Sequence, residues 1–354
     1  MLETLWARVE PPATVKQTQN RAQTPVRTDE LARLLQAVAG TGYRFITPTP
    51  LTHQRVLEHR GPAEATTLRD LFGWSLPFNP ASVATDLLAL MDDAGVLSSS
   101  GQLLRSSVRI SSIDDDLFLH SAYPTVKEDA VFFGPDTYRF ARFIQQALRT
   151  GDERGASLKR AASTGRPFRV LDVGCGSGAG AVVAARALGR YGSNAALELT
   201  MNDINPFALH YAAVNAACGQ LPAKLAEGDA LSAVEGRFDL IISNPPYLDD
   251  AAQRAYRHGG ERLGRALSVR IAREALGSLA PGGQLLLYTG VAIVDGVDAF
   301  RAEMLPLLDD ADCTWSYSEI DPDVFGEELE QPVYAQVDRI AAVGLIATRR
   351  GAAA

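Results

Sequence analysis

Val170-Leu171-Asp172-Val173-Gly174-Cys175-Gly176-Ser177-Gly178 runs from an apolar stretch into a turn in which every second residue is glycine. With a helical pattern following from Gly178, the stretch predicts a buried strand, a tight loop and the mouth of a helix. Glycines at such a loop let the backbone approach a ligand with no side chain between, and the helix N-terminus offers unpaired N–H groups. An α/β fold and a polar ligand are therefore expected together. The ligand is not chosen by this stretch, because Gly174, Gly176 and Ala179 also satisfy the relaxed dinucleotide fingerprint G-x-G-x-x-G/A.

Towards the C-terminus short apolar runs alternate with helical patterns. The spacing predicts strands at 169–173, 197–202, 224–226, 238–243 and 284–288, with helices from Gly178, from Pro206 and over 268–279. That alternation reads as a doubly wound, mainly parallel, Rossmann-like sheet with helices on both faces.

Towards the N-terminus, residues 1–30 are rich in Thr, Gln, Arg and Pro and read as an irregular lead-in. Leu31, Leu34, Leu35 and Val38 then fall at helical spacing before Gly40. Further helices are predicted over 63–72 and 80–94, and strands over 103–110 and 117–121 around a turn at 111–116. This order predicts a smaller N-terminal helical or winged-helix domain over 1–122, followed by a second domain over 123–354. Winged helices often read nucleic acid. The tip Asp114-Asp115-Asp116 would repel phosphate, so a cap packed on the second domain is the preferred reading. A linker rich in glycine and charge is expected over 150–166.

The chain has 354 residues, of which 46% are hydrophobic and 21% charged, as expected of a two-domain globular protein without a membrane span. The N-terminus lacks the order of a signal peptide, so a cytoplasmic location is the default expectation. Three cysteines, far apart, and five scattered histidines support neither a disulfide framework nor a metal site. A net charge of -8 disfavours broad contact with a phosphate backbone.

Two further features carry chemistry. Asp203 closes the second strand, where a carboxylate can accept both ribose hydroxyls of an adenosine, although a helix cap ahead of Pro206 would use the same residue. Asp229, just past the third strand, could hold an adenine amino group or sit as a solvated loop acid. The strand 238–243 then delivers Asn244-Pro245-Pro246-Tyr247 to the carboxyl end of the sheet, where open α/β folds bind ligands. An amide or aromatic amine is a poor nucleophile because its lone pair is delocalised. The Asn244 side-chain carbonyl and the Pro245 main-chain carbonyl could accept its two N–H groups as positive charge develops. Pro245 and Pro246 stiffen the pair, and Tyr247 could stack on the planar target.

From 171–178 through Asp203 the chain resembles class I S-adenosylmethionine-dependent methyltransferases over roughly residues 125–350. Its Asn-Pro-Pro-Tyr is similar to the signature of the amino-methyltransferases, which include protein-glutamine, adenine and ribosomal RNA guanine enzymes. The resemblance implies S-adenosyl-L-methionine as cofactor, with Gly174, Gly176 and Gly178 facing its methionine part, Asp172 its amino group, Asp203 the ribose and Asp229 the adenine. It implies Asn244, Pro245, Pro246 and Tyr247 as the catalytic group, and Phe132, Phe133 and Tyr138 as a lid over the target, against plain core packing. The segment 258–264 resembles the glycine-rich loop that follows the motif in protein-glutamine methyltransferases, and could open a groove for a peptide. Tyr288-Thr289-Gly290 departs from those enzymes, which carry an acid and a glycine after the fifth strand. The expected acceptor is the side-chain amide of a glutamine-bearing protein loop, ahead of an adenine or guanine base in RNA or DNA. A nicotinamide oxidoreductase and a silent, cofactor-sensing DNA-binding module are the competing classes.

Overall fold

The computed structural model describes residues 28–61, 63–125, 127–149, 158, 161–190, 196–250, 254 and 256–351. Most of the lead-in and much of the linker over 150–166 lie outside the described residues. The amphipathic pattern from Asp29 forms α1 (Thr28–Gly40), with Leu31, Leu34, Leu35 and Val38 all buried. It is followed by α2 (Pro50–Arg60), α3 (Thr85–Asp93), β1 (Leu97–Ser100), β2 (Leu103–Ser106), β3 (Val108–Ile113) and β4 (Asp116–Ser121).

Three expectations change here. The helix read over 63–72 is only a π-helical turn at Arg69–Gly73. A helix that the apolar pattern did not reveal, α2, starts instead at Pro50, capped by the Thr49 hydroxyl. Pro at the first helical position and Thr before it are the signal that was there to be used. The single strand read over 103–110 breaks at Ser107, whose N–H bonds Val96 O, so that β2 pairs with β1 while β3 pairs with β4.

The β3–β4 ribbon does not project. Asp114 accepts from Gln145 Nε2 at 2.6 Å, Asp115 pairs with Arg44 at 3.0 Å, and Asp116 takes both an Nε and an Nη2 bond from Arg186. Asp114 and Asp116 thus tie the tip to the helices that carry Gln145 and Arg186, while Asp115 stays exposed and is paired only with Arg44 of the N-terminal region.

After α4 (Pro135–Arg149) come β5 (Phe168–Val173), α5 (Ala179–Gly189), β6 (Leu197–Asp203), α6 (Pro206–Cys218), β7 (Ala223–Glu227), β8 (Phe238–Ser243), α7 (Ala266–Ser278), β9 (Leu279–Val294), β10 (Val297–Asp298), α8 (Ala299–Asp310), β11 (Cys313–Asp321) and β12 (Arg339–Arg349). Among the described residues these strands form one eight-stranded sheet in the order β11-β12-β9-β8-β5-β6-β7, with β10 on β9. Strands β5 to β9 pair in parallel, and β10, β11 and β12 add antiparallel pairs at one side. This is the doubly wound, mainly parallel, Rossmann-like sheet expected, with an antiparallel edge.

Alternation along the central strands separates two cores. Val170, Leu240 and Ile242 pack with α4, α5 and α6 on one face. Leu171, Val173 and Ile241 pack with α7 and α8 on the other. A third cluster joins α1 to Ala208, Tyr211 and Val214 of α6. Buried Asn215 seals that contact: its side chain bonds both the N–H and C=O of Leu119 in β4, and also Ser177 O in the glycine loop. Both N–H groups of this buried amide and its oxygen are hydrogen-bonded, and it ties the N-terminal ribbon to the loop that follows β5.

Candidate active site

The chain turns from one half of the sheet to the other between β5 and β8, which pair in the register Val173↔Ser243. The glycine loop and the Asn-Pro-Pro-Tyr motif are far apart in sequence, yet each begins one residue beyond this pair. A parallel sheet opens a crevice at the carboxyl end of such a switch point. Here it is a cavity of about 440 Å³, lined by residues of both motifs.

Gly174 and Gly176 have φ of 67° and 53°, and a Cβ built on either would meet nothing within 4 Å. Their bare backbone faces open space, as a cradle for a ligand requires. Gly178 differs: its φ is 76°, and a Cβ would lie 3.1–3.2 Å from Ala212 and Met201. It permits the turn and the close packing of α5 and does not line the cavity, which corrects its expected contact with a methionine group.

Asp172 is 1% exposed and lines the cavity. Its Oδ2 accepts the Ala181 N–H at 2.8 Å, and burial pushes the carboxyl up to about 7. Asp203 also lines the cavity; its oxygens accept N–H groups from Gly176 at 2.8 Å and Asn205 at 2.9 Å. The cap of α6 is Asn205, through its bond to Phe207 N, so Asp203 is not the helix cap. Burial pushes its carboxyl up, against the lowering effect of these N–H groups. Asp229 lines the cavity too, but Arg270 grips both its oxygens at 2.6 and 2.9 Å and holds its carboxyl below the usual range.

At the end of β8, the Asn244 side-chain oxygen is buried and has no hydrogen-bond partner among the described residues. Unsatisfied buried acceptors are rare, and this one belongs to a residue that lines the cavity, so a turn of the Asn244 side chain would offer it to a ligand N–H. Pro245, Pro246 and Tyr247 line the same cavity. Tyr247 is only 6% exposed: its ring lies edge-on to Phe325, closes on Gly290, and its hydroxyl donates to Asp136. The expected stacking wall is therefore mostly an anchor, whose ring and hydroxyl fix the motif.

That anchor accounts for Tyr288-Thr289-Gly290. Tyr288 donates to the other oxygen of Asp136 at 2.9 Å, and a Cβ at Gly290 would lie 2.2 Å from the Tyr247 ring. Asp136, with Arg139 at 3.4 Å, is buried and pushed up to about 6. Sequence reasoning missed Asp136; its place between Pro135 and a helical pattern disguised it as a first-turn helix acid.

The segment 258–264 does not open a groove. A Cβ at Gly259 would lie 1.9 Å from Gly264 O and 2.6 Å from Tyr247 Cα, and one at Gly264, with φ of 81°, 2.1 Å from Tyr247 O. Gly259 N bonds Leu248 O, and Leu248 N bonds Arg257 O. These glycines let one loop pack directly behind the motif, which corrects the expected peptide groove.

Among the lid candidates, Phe132 lines the cavity and stacks with Tyr256, their centroids 6.2 Å apart and their planes 13° apart. Phe133 also lines it, and stacks on His120 at 4.9 Å. Tyr138 does not line it: its hydroxyl accepts the Thr47 N–H at 3.0 Å, and its ring meets Phe133 edge-on, so it supports Phe133 and is no lid itself. Sequence reasoning also missed Asn202, whose buried Oδ1 has no partner, and Arg109, both lining the cavity. Nothing in the spacing of these two residues distinguishes them from ordinary strand positions.

The residues present suit S-adenosyl-L-methionine. The open glycine cradle, two carboxylates without a cationic partner among the described residues and an orphaned Asn244 oxygen are the donors and acceptors that an adenosyl amino acid and a nitrogen acceptor would use.

The family model described as methyltransferase small domain matches residues 157–291. Release factor glutamine methyltransferase of Deinococcus radiodurans is 41% identical over 129 residues, which cover 34% of this chain and 44% of that protein. The same enzyme of Koribacter versatilis is 34% identical over 173 residues, 45% of this chain and 55% of that one. Ribosomal RNA small subunit methyltransferase C of Pasteurella multocida is 39% identical over 117 residues, 33% and 31% of the two chains. The chain spans about half, or less, of the length of these curated relatives.

Proposed function

We propose, for a chain whose residues 157–291 match the methyltransferase small domain family, that the cavity transfers a methyl group from S-adenosyl-L-methionine to a planar, conjugated nitrogen. The observation that carries this reading is the buried Asn244 oxygen without a partner, delivered by β8 beside the open glycine loop. When bound, the cofactor supplies an electrophilic methyl group on a sulfonium. Gly174 and Gly176 leave its amino-acid part room, Asp172 takes its ammonium and Asp203 its ribose hydroxyls. Asp229, turned by Arg270, keeps lone pairs for the adenine amino group.

Asn244 Oδ1 and the Pro245 carbonyl accept the acceptor's two N–H groups. Both bonds strengthen as the nitrogen turns positive, which is the condition for lowering the barrier; the methyl–sulfur bond breaks to leave a neutral thioether, and the surplus N–H proton passes to solvent. Pro246 and Pro245 fix the backbone, while Tyr247, held by Asp136, Gly290 and Phe325, keeps the motif in register. Phe132 offers a flat apolar wall to a planar group.

The acceptor we favour is a side-chain amide of a protein, a glutamine. The net charge of -8 and the likeness to release factor glutamine methyltransferases support it. The ribbon tip, two of whose three acids are paired with arginines, and the closed glycine loop no longer do. An exocyclic amine of a nucleic-acid base is the second reading, favoured by the likeness to ribosomal RNA small subunit methyltransferase C. Labelled cofactor, the full chain and a cell extract split into protease-treated and nuclease-treated halves separate the two. Label lost to protease supports the amide; label lost only to nuclease overturns it. A base acceptor would also make activity fall steeply with salt.

A further inference from the structure

Arg109, on β3, is 4% exposed and lines the same cavity as Asn244. Its Nε donates to Gly73 O at 3.0 Å, Nη2 lies 3.4 Å from His53 Nδ1, and the guanidinium sits 5.7 Å from the centre of the Phe45 ring. Among the described residues no carboxylate pairs with it; the titratable groups that act on it are Tyr43, Tyr138 and Tyr123. His53 and His120 beside it are held neutral by burial and by Arg109 itself.

A buried guanidinium cannot shed its charge as a buried lysine can, so it needs a counter-ion. The other two arginines that line the cavity have theirs. Arg254 meets Asp250 at 2.5 Å, and Arg257 meets Glu328 at 2.5 Å. Arg109 is the cation left over among the described lining residues, and it is preorganised by a carbonyl, a histidine and an aromatic face.

We propose that Arg109 is the docking point for a carboxylate carried by the methyl acceptor, so that the enzyme recognises an amide or amine nitrogen together with a nearby negative charge. This rests on the reading of the cavity as a methyl-transfer site. One uncompensated guanidinium matches one singly charged group. A run of phosphates would call for several uncommitted cations, and Arg254 and Arg257 are engaged. No part of the family match includes Arg109, which lies ahead of residue 157. The specificity would thus come from the N-terminal region, which also supplies Thr47 and Pro48 to the cavity lining.

The probe is ¹³C-labelled acetate, followed by line broadening on titration into the full chain saturated with S-adenosylhomocysteine. Acetate should bind the wild type, at least about tenfold more weakly to Arg109→Gln, and with intermediate affinity to Arg109→Lys, because a charge-assisted bond to the anion is lost or weakened. Without any anion, Arg109→Gln should unfold no earlier than the wild type, since it removes a buried, uncompensated charge. If Arg109→Gln fails to fold, the wild type and Arg109→Lys still decide. Absent acetate binding, or equal binding by all folded variants, overturns the proposal. So does inorganic phosphate binding where acetate does not, which would indicate a phosphate-bearing acceptor. A third contrary result is Arg109→Gln weakening S-adenosylhomocysteine while sparing methylthioadenosine, which lacks the carboxylate; the anion would then be the cofactor's own. Should S-adenosylhomocysteine not bind the wild type, the methyltransferase reading fails, and titration of the free protein still reads Arg109.

Discussion

Gly174 and Gly264 have similar left-handed backbones, with φ of 67° and 81°, yet the same substitution to alanine should fail in opposite ways. Either alanine pays a left-handed strain of about 1–2 kcal/mol. At Gly174 nothing more is added, because the new Cβ would meet no atom within 4 Å. At Gly264 it would lie 2.1 Å from Tyr247 O, 2.5 Å from Tyr247 C and 2.7 Å from Leu248 C, all of them backbone. Carbon atoms rest about 3.5–4.0 Å apart, so the motif or the loop must move by roughly 1 Å. Overpacking of that kind adds about 1–3 kcal/mol. Denaturant unfolding should therefore place Gly174→Ala about 1–2 and Gly264→Ala about 2–5 kcal/mol below the wild type. Calorimetry with S-adenosylhomocysteine should reverse the order of harm: Gly174→Ala loses at least about tenfold in affinity, while folded Gly264→Ala binds but transfers methyl poorly. Gly277→Ala, inside α7 with open space at its Cβ, is the control and should gain about 0.5–1 kcal/mol. Undiminished affinity in Gly174→Ala would remove the loop from the cofactor site. A Gly264→Ala protein as stable as the wild type would refute the packing of 258–264 behind the motif.

Asn244→Ala should keep S-adenosylhomocysteine affinity and lower methyl transfer by about 100-fold or more, measured as label incorporated per enzyme. Asp203→Ala should weaken both S-adenosylmethionine and its demethylated product by at least about tenfold in calorimetry, through lost charge-assisted bonds to ribose. Burial raises the Asp172 carboxyl from 3.8 to about 7, so between those values the folded state holds a proton that the unfolded state has lost. Its contribution is complete below pH 4 and is lost as pH rises to 7. Asp172→Asn should consequently gain stability relative to wild type as pH rises from 4.5 to 7.5; a constant difference in unfolding midpoint across that range would contradict it. Tyr288→Phe removes one of the two hydroxyls on Asp136 and should reduce turnover more than cofactor affinity, by loosening Tyr247.

The sheet was legible because periodicity is a local property: the strands around Leu171 and Ile241 are largely apolar, and the one around Met201 alternates Leu197, Leu199 and Met201 with polar residues. Asn244 and Gly174 could also be found, since each follows directly from its strand. What distant chain segments do to one another was not legible. The acidic tip looked like uncompensated charge until Gln145, Arg44 and Arg186 were seen on it. Tyr247 looked like a stacking wall until Asp136, more than a hundred residues earlier, was found on its hydroxyl. Likewise Gly259 and Gly264 suggest an open loop in sequence, whereas they are small because the backbone of Tyr247 and Leu248 lies against them. The antiparallel edge of β11 and β12 was missed because the apolar run 339–349 follows β11 with no helix to mark a crossover.

The central claim is methyl transfer to nitrogen at Asn244, and the chemical position of the transferred label tests it most directly. Wild type and Asn244→Ala are each incubated with methyl-labelled S-adenosylmethionine and a cell extract, and the labelled product is hydrolysed in acid. The account predicts that wild-type label on a side-chain amide is released as methylamine, and that Asn244→Ala yields about a hundredth as much or less. Label found on oxygen, sulfur or carbon, or equal incorporation by the two proteins, would contradict it.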